Sequence, residues 1–527
     1  MEKPEDDAVA LLRKTLGDNI ISVRASRQGR DFLQVRLGSQ REALMTLLKM
    51  DEKTGLSAII GVDLGKSIEV IYSIRTRGTL ASIRTEVPKE DARIDSITDL
   101  LPGAGFHERE VADLFGVTFE GNPDQRRLIL PETWPSGLYP LRKDADLTNV
   151  ARVDPVENSP TTPMIGEEAL TDIIIGPQHP ALVEPEKFAI RVEGETVREV
   201  IPRIGYVHRG VEKAAEKRTY LQDIYLVERV CGICNSCHAT CFCQAVEDIM
   251  GIEIPARAKY IRTIILEVDR LQSHLLVLGH FGHEIGYETL FQYMWRDREI
   301  AMDMMELITG NRVLSSATTI GGARVDLSDD KIKRVKLQLN EIKSRMGFYR
   351  ELFQTDTTIR ARVKNVGVLS KQDALKLSVV GPVARASDVG IDVRKDDPYA
   401  AYGDIPFEMI TRTEGDSRAR LLVRLDEIDE TVRIMDYALD NLPSGPYRIR
   451  VPRIVPAGEA VSRVEAPRGE LFYYVKSNGT AYPERVKIRT PTFTNIQSLP
   501  KIAEGGNIAD VPVSLVSLDP CFSCTDR

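Results

Sequence analysis

Apolar positions in this chain recur with two periods, and the balance between them shifts along its length. Ala8 to Leu16 spaces its apolar side chains as a short amphipathic helix, and Ile20 to Val23 and Phe32 to Leu37 read as strands. Glu42 to Asp51 returns to the helical period, with Leu44, Leu47 and Leu48 as its apolar positions. Leu56 to Asp63, Ser67 to Arg75 and Ala81 to Val87 are β-rich runs, with Gly65 and Gly78 at turns. Helices and strands mixed in this way predict an α/β sandwich over residues 1–143.

Asp144 to Glu168 is polar, carries Pro155, Pro160 and Pro163 and has no period, so 144–170 reads as a linker. A second unit is expected over 171–527. It opens on the apolar run Ile173 to Ile175 and a hairpin of Phe188 to Val192 and Val197 to Ile201 around Gly194. The helical period then dominates. Cys234 to Ile249 fits it, and Ala256 to Phe281 places Ile261, Ile265, Val268, Leu271, Leu275 and Leu278 at helical spacing. Glu288 to Thr309 and Ser328 to Phe353 continue the pattern and predict a helical bundle. Ser378 to Pro520 mixes short strands and turns with one helix, Asp426 to Leu442. The fold class is therefore α+β, an α/β sandwich followed by a mainly helical domain.

A chain of 527 residues is too long for one ordinary core, which agrees with two units. Its 42% apolar and 28% charged residues are the balance of a globular protein. A net charge of −8 argues against nucleic acid as a partner, because phosphate binding needs a basic face. The chain has no run of about 18 apolar residues that would span a bilayer. Its acidic opening, from Met1 to Asp7, lacks the apolar core of a signal peptide, so a cytoplasmic location is expected.

The seven cysteines change the picture most. They fall into two short segments: Cys231, Cys234, Cys237, Cys241 and Cys243, then Cys521 and Cys524. A disulfide framework would spread them along the chain, whereas two clusters point to metal ligation. Two Cys-x-x-Cys pairs almost three hundred residues apart offer four thiolates, a donor set for a soft transition metal held between distant parts of a fold. Structural zinc is one rival, but zinc knuckles lie much closer in sequence. An iron–sulfur cluster is another, because Cys231, Cys234, Cys237 and Cys241 spell C-x2-C-x2-C-x3-C. Phe242 stands where that motif has Pro, and Cys234, Cys237 and Cys241 share one helical face. Cys237, Cys241 and Cys243 then read as small buried apolar residues, and no iron–sulfur cluster is expected in this chain.

Arg229 and His238 frame the first pair as Arg-x-Cys-Gly-x-Cys-x-x-x-His, and Asp519-Pro520 opens the second. This pattern resembles the large subunit of nickel–iron hydrogenases. Gly176 to Pro185 and Ile204 to Lys213 match motifs shared by membrane-linked hydrogenases and the complex I quinone-site (49 kDa) subunit. Val464 to Glu470 matches another family element. Glu108 to Leu130, with Tyr139 to Lys143, resembles the complex I 30 kDa accessory subunit. There Glu108, Arg109, Glu110 and Asp113 read as a charged helix face with mutual salt bridges, serving docking and carrying no chemistry. The fusion is similar to the large subunit of the membrane-bound, energy-converting (group 4) hydrogenases of formate hydrogenlyase type.

The resemblance implies a site. Cys231 and Cys521 would be terminal nickel ligands. Cys234 and Cys524 would bridge nickel to an iron carrying two cyanides and a carbonyl. His238 would donate a hydrogen bond beside the cluster, and Glu212 would lie near it. Glu184, 28 residues before Glu212, has the spacing of the family's proton gate. Arg468 would project over the open metal face, Thr492 would bond a cyanide, and Asp519 would pair with an arginine near the cluster. His179 and His208 fall in a region that lines the quinone cavity in the complex I relative. Many hydrogenases end the second motif with a histidine that binds a nearby metal ion, which brings magnesium into the expectation. This chain has Arg527 there, as the energy-converting branch does. Nothing follows Arg527, so the chain is either a mature form or one that needs no cleavage.

The implied reaction is 2H⁺ + 2e⁻ ⇌ H₂ in the evolving direction, with the proton passing between Cys521 and Glu184. The implied partners are an iron–sulfur small subunit, ferredoxin-like subunits and membrane-arm subunits that hold the chain at the cytoplasmic face. Formate dehydrogenase, carbon monoxide dehydrogenase or ferredoxin would be the electron donor. Two other readings stand beside this one. A quinone-site or structural complex I-like subunit accounts for both domain signatures but not for the four cysteines. An iron–sulfur electron carrier requires Cys237 and Cys241 as ligands.

Overall fold

The computed structural model describes residues 8–24, 29–76, 79–148, 150, 170–180 and 182–527. Most of the expected linker, the first seven residues and the turn at Gly78 lie outside the described residues.

The N-terminal unit is built on a five-stranded sheet in the order Ile20–Arg24, Arg30–Val35, Thr79–Pro88, Ser67–Thr76, Gly55–Asp63. Its neighbours are antiparallel except Arg30–Val35 and Thr79–Pro88, which run parallel. Strand alternation sends Ile68, Val70, Tyr72 and Ile74 to one face, against Leu12, Leu16, Leu44 and Leu47 of the helices Ala8–Leu16 and Gln40–Leu48. Ile71, Ala58, Ile60 and Val62 turn to the other face, where they meet Val461, Phe472 and Tyr474 of the C-terminal unit. Both faces are covered, so the strand Gly55–Asp63 is buried at every position. That is why it reads as a continuous apolar run and not as an alternation.

The helix Gly105–Phe115 corrects one sequence reading. Glu108, Arg109, Glu110 and Asp113 do not pair with one another on an exposed face; all four are buried. Glu108 accepts hydrogen bonds from Ser96, the Ile97 N–H and Asn122. Arg109 pairs with Asp124, Asp113 caps the N–H groups of Leu128 to Leu130, and Glu110 reaches Lys487 and Arg527. Burial takes water away from these charges, and groups from other segments replace it as partners.

In the C-terminal unit, Thr171–Ile175, Lys187–Glu193 and Thr196–Arg203 form a small antiparallel sheet. Long helices Ala256–Glu284, Glu288–Thr309, Asp329–Thr355 and Ser417–Asp440 pack around Ile265, Val268, Leu275, Met305, Leu339, Met346, Leu425 and Ile428. The fourth helix starts nine residues before the expected Asp426. Its first turns carry Arg420 and Arg424, both buried and donating to Gly415 O, Gly367 O and Ser517 O among others. Asp416 caps the helix through the Ala419 N–H. A second antiparallel sheet, Gly458–Ala466, Gly469–Ser477 and Pro483–Arg489, lies between the helix Asn235–Met250 and the N-terminal sheet. Among the described residues, no helix is long and apolar enough to cross a membrane.

Candidate metal centre

The helix Asn235–Met250 begins immediately after Cys234, and Phe522–Asp526 begins immediately after Cys521. Each Cys-x-x-Cys pair therefore sits at a helix entrance, and the fold closes the two entrances on each other. Cys231 Sγ lies 3.5 Å from Cys521 Sγ, and Cys234 Sγ lies 3.7 Å from Cys524 Sγ. Sulfurs of Cys231, Cys234 and Cys524 lie within 4.8 Å of one another. All four are free thiols, each at most 4% exposed. A metal with bonds of about 2.3 Å to four sulfurs in a tetrahedron holds them about 3.8 Å apart. The spacing and softness of the donors thus fit a thiolate-bound transition metal.

The electrostatics favour a cation in the same place. The neighbouring thiols of Cys234, Cys521 and Cys524, followed by the Arg468 guanidinium, hold the Cys231 thiol well below its usual range. Hydrogen bonding with Cys231, followed by burial and the charge on Cys231, raises Cys234, Cys521 and Cys524. The cluster gives up one proton readily and resists losing more until a metal neutralises the added charge.

Arg468 is buried at the tip of the hairpin between Gly458–Ala466 and Gly469–Ser477. Its Nε donates to Asp519 O and its Nη2 pairs with Asp519 Oδ1, both at 2.8 Å. Arg424 stands 3.8 Å from the other Asp519 oxygen. A close backbone approach sets the tip. Gly469 has φ +127°, and a Cβ there would meet Gly381 N at 2.7 Å; one on Gly381 would meet Arg468 O at 2.4 Å. Asn495 bridges the two strands of chain, bonding Val380 N, Val380 O and Arg468 O.

Glu184 accepts hydrogen bonds from the Ser523 N–H at 2.8 Å and from the Ser523 hydroxyl. Burial raises its pKa, opposed by the Ser523 N–H. Glu184, Arg468, Asp519 and Cys521 share a cavity of about 80 Å³ whose remaining wall includes Leu182, Ile233, Leu276 and Val277. Thr492 Oγ1 accepts the Cys521 N–H at 3.2 Å, which leaves its own proton free to be donated.

His238 is fully buried. Its Nε2 is 3.6 Å from Cys524 Sγ and its Nδ1 is 2.7 Å from the Tyr473 hydroxyl. Desolvation lowers its pKa to about 4, so the ring is neutral at pH 7. Cys241 points away from the cluster, donating to Ser462 O. Burial raises the pKa of Cys237, Cys241 and Cys243, as expected of inert thiols.

Glu212 lies in a buried charged cluster that joins both units. It pairs with Arg485 at 2.7 Å, Lys487 at 3.5 Å and Arg527 at 3.4 Å, and accepts the Ile488 N–H. Glu110 pairs with Lys487 and Arg527, whose guanidinium lies over the Phe493 ring. Two carboxylates here face three cations, so a divalent ion finds no charge to balance it. The magnesium brought in by the resemblance does not fit this cluster. His208 Nδ1 bonds Asp526 O, and His179 is exposed. Sequence reasoning missed Tyr473, Arg424, Asn495 and Lys487. None carries a local motif, and Tyr473 had only its strand position to offer.

Three family profiles match. That of the respiratory-chain NADH dehydrogenase 30 Kd subunit spans 38–150, that of nickel-dependent hydrogenase spans 209–318, and that of the respiratory-chain NADH dehydrogenase 49 Kd subunit spans 284–456 and 452–527. The chain is 35% identical over 513 residues to the C/D subunit of the NADH-quinone oxidoreductase of Phocaeicola vulgatus, covering 93% of this chain and 96% of that one. It is 37% identical over 450 residues to formate hydrogenlyase subunit 5 of Escherichia coli, covering 85% and 79%. A chain of the membrane-bound sulfane sulfur reductase, an archaeal respiratory membrane complex, superposes with TM-score 0.66 at 34% identity, covering 68% of this chain and 99% of that one.

Proposed function

We propose a hydrogen-activating role for this chain, which belongs to the family that joins a complex I 30 kDa-type domain to a complex I 49 kDa/nickel–iron hydrogenase large-subunit domain. It is the catalytic large subunit of a membrane-associated, energy-converting nickel–iron hydrogenase. The observation that carries this reading is the convergence of four buried thiols from Cys231, Cys234, Cys521 and Cys524. A quinone-site subunit has no use for them.

Cys231, Cys234, Cys521 and Cys524 would hold nickel and iron, with Cys231 and Cys521 serving nickel and Cys234 and Cys524 serving both. When bound, that pair of metals supplies the redox and Lewis-acid chemistry that interconverts H₂ with protons and electrons. The chain's own residues do the rest. Arg468 keeps a permanent positive charge at the mouth of the cluster, and Asp519 fixes its plane by two bonds. The cavity beside Cys521 is mostly apolar and suits an uncharged diatomic substrate. Glu184, with its raised pKa, takes the proton from Cys521 and holds it against Ser523. Thr492 and His238 steady the sulfurs and their surroundings. Electrons cross to an iron–sulfur partner subunit, and membrane-arm partners hold the assembly at the cytoplasmic face. The donor upstream is formate dehydrogenase, carbon monoxide dehydrogenase or ferredoxin.

Elemental analysis and infrared spectra of the purified complex test this. Nickel near one per chain, with bands of metal-bound carbonyl and cyanide, is expected. Cys521→Ser should abolish nickel binding while Cys237→Ser leaves it intact. A matured complex without nickel or those bands would overturn the reading in favour of a quinone-type subunit, as the Phocaeicola relative is named.

A further inference from the structure

We propose that Tyr473 is a positioning residue for the metal centre: its hydroxyl proton fixes His238 as the Nε2–H tautomer and so aims an N–H at the sulfur of Cys524. The proposal rests on reading the four thiols as metal ligands, but the tautomer itself is a property of the protein alone.

The argument is one of hydrogen-bond accounting. Tyr473 and His238 are both 0% exposed, so water cannot serve either. Among the described residues, the Tyr473 hydroxyl has one hydrogen-bond partner, Nδ1 of His238 at 2.7 Å. A buried phenol proton without an acceptor is costly. If Nδ1 carried the imidazole proton and donated it to the phenol oxygen, the phenol proton would be stranded. The lone pair of Nε2 would also face Cys524 Sγ at 3.6 Å and would repel the thiolate that metal binding would create there. Reversing the roles removes both penalties. The phenol donates to a bare Nδ1, Nε2 carries the proton, and the N–H points at the sulfur.

The surroundings hold this arrangement. The His238 and Tyr473 rings meet edge to face, with centroids 5.9 Å apart and planes at 79°. Phe242, one turn along the helix from His238, packs against Tyr473 in the same manner at 6.4 Å. Tyr473 faces this way because it alternates with Phe472 and Tyr474, which belong to the opposite face of the strand. An N–H on Cys524 withdraws electron density from that sulfur and would do the same to a metal held by it.

The test begins on metal-free, full-length protein labelled with ¹⁵N-histidine. Two-bond ¹⁵N–¹H correlations report which ring nitrogen carries the proton, and His238→Gln identifies the His238 signals by their loss. Wild type should show a protonated Nε2 and a bare Nδ1 at His238. Tyr473→Phe, which keeps the ring, should move those signals toward a mixture of tautomers. In the mature complex the same substitution should shift the carbonyl band to lower wavenumber, because a thiolate without its hydrogen bond donates more strongly. A wild-type Nδ1–H tautomer, or signals unmoved in Tyr473→Phe, overturns the proposal. The wild-type spectrum decides the first point even if the variant does not fold. A chain that binds no nickel would remove the hydrogenase reading and leave the tautomer result standing.

Discussion

Two buried carboxyl groups show how partners separate a working side chain from a strained one. Glu184 and Asp223 both have raised pKa values, and burial is the first cause in each. Glu184 has Ser523 to donate to it. Asp223, on the helix Tyr220–Glu228, has no hydrogen-bond partner for either oxygen among the described residues, and its pKa is pushed from 3.8 to about 8. Between those values the folded chain keeps a proton that the unfolded chain has released. The proton-linked cost of Asp223 is therefore absent below about pH 4 and grows as pH rises to about 8. Asp223→Asn should stabilise the protein at pH 8 by about 2–4 kcal/mol and have little effect near pH 4. Thermal midpoints of both proteins across that range check it. A constant difference at all pH values would mean that Asp223 does not titrate in the window.

At the scale of elements, the hairpin tip carrying Arg468 depends on two glycines passing each other. Gly381 and Gly469 have φ +68° and +127°, and each would press a Cβ into the other's strand. Gly469→Ala should destabilise the protein by about 1–3 kcal/mol and displace Arg468. The readout is a lower melting temperature together with activity lost out of proportion to nickel. Equal losses of both would show that the tip matters only for stability. Many strands and helices of both units were legible in the sequence because each repeats its period locally, whereas Tyr220–Glu228 and the strands of 458–489 were not placed. The start of Ser417–Asp440 was not. Arg420 and Arg424 are charged residues in a core, and only their carbonyl partners at Gly367, Gly415 and Ser517 make that tolerable.

Across the whole molecule, one carboxylate of the N-terminal unit, Glu110, reaches the cysteine-bearing end of the chain. Glu110 pairs with Arg527, three residues beyond Cys524, and with Lys487 at 2.5 Å. All are nearly buried, so removing the negative charge leaves Lys487 and Arg527 to share Glu212 with Arg485. Glu110→Gln should cost about 2–4 kcal/mol, since breaking a buried ion pair leaves the survivor unsolvated. Because Arg527 ends the short helix that bears Cys524, nickel content should fall as well. Limited proteolysis, melting temperature and metal analysis of the variant measure this. An unchanged nickel content at a lowered melting temperature would confine Glu110 to holding the two units together.

The candidate donor atoms were decided by the sequence. Two Cys-x-x-Cys pairs, with Arg229, His238 and Asp519 beside them, point to a soft-metal site in a few neighbouring residues, and spacing within a turn or a helix is a local property. Their company was decided only by the tertiary structure. Glu110, Asn495 and Tyr473 come from segments tens to hundreds of residues away from the residues they bond, and no local pattern marks such a meeting. Tyr473 and Tyr474 are the same residue type side by side. Strand alternation puts them on opposite faces, but which face meets His238 follows from how the sheet packs between the helix Asn235–Met250 and the N-terminal strands. A pleat has two sides that are equivalent in sequence, and only burial against a particular neighbour tells them apart.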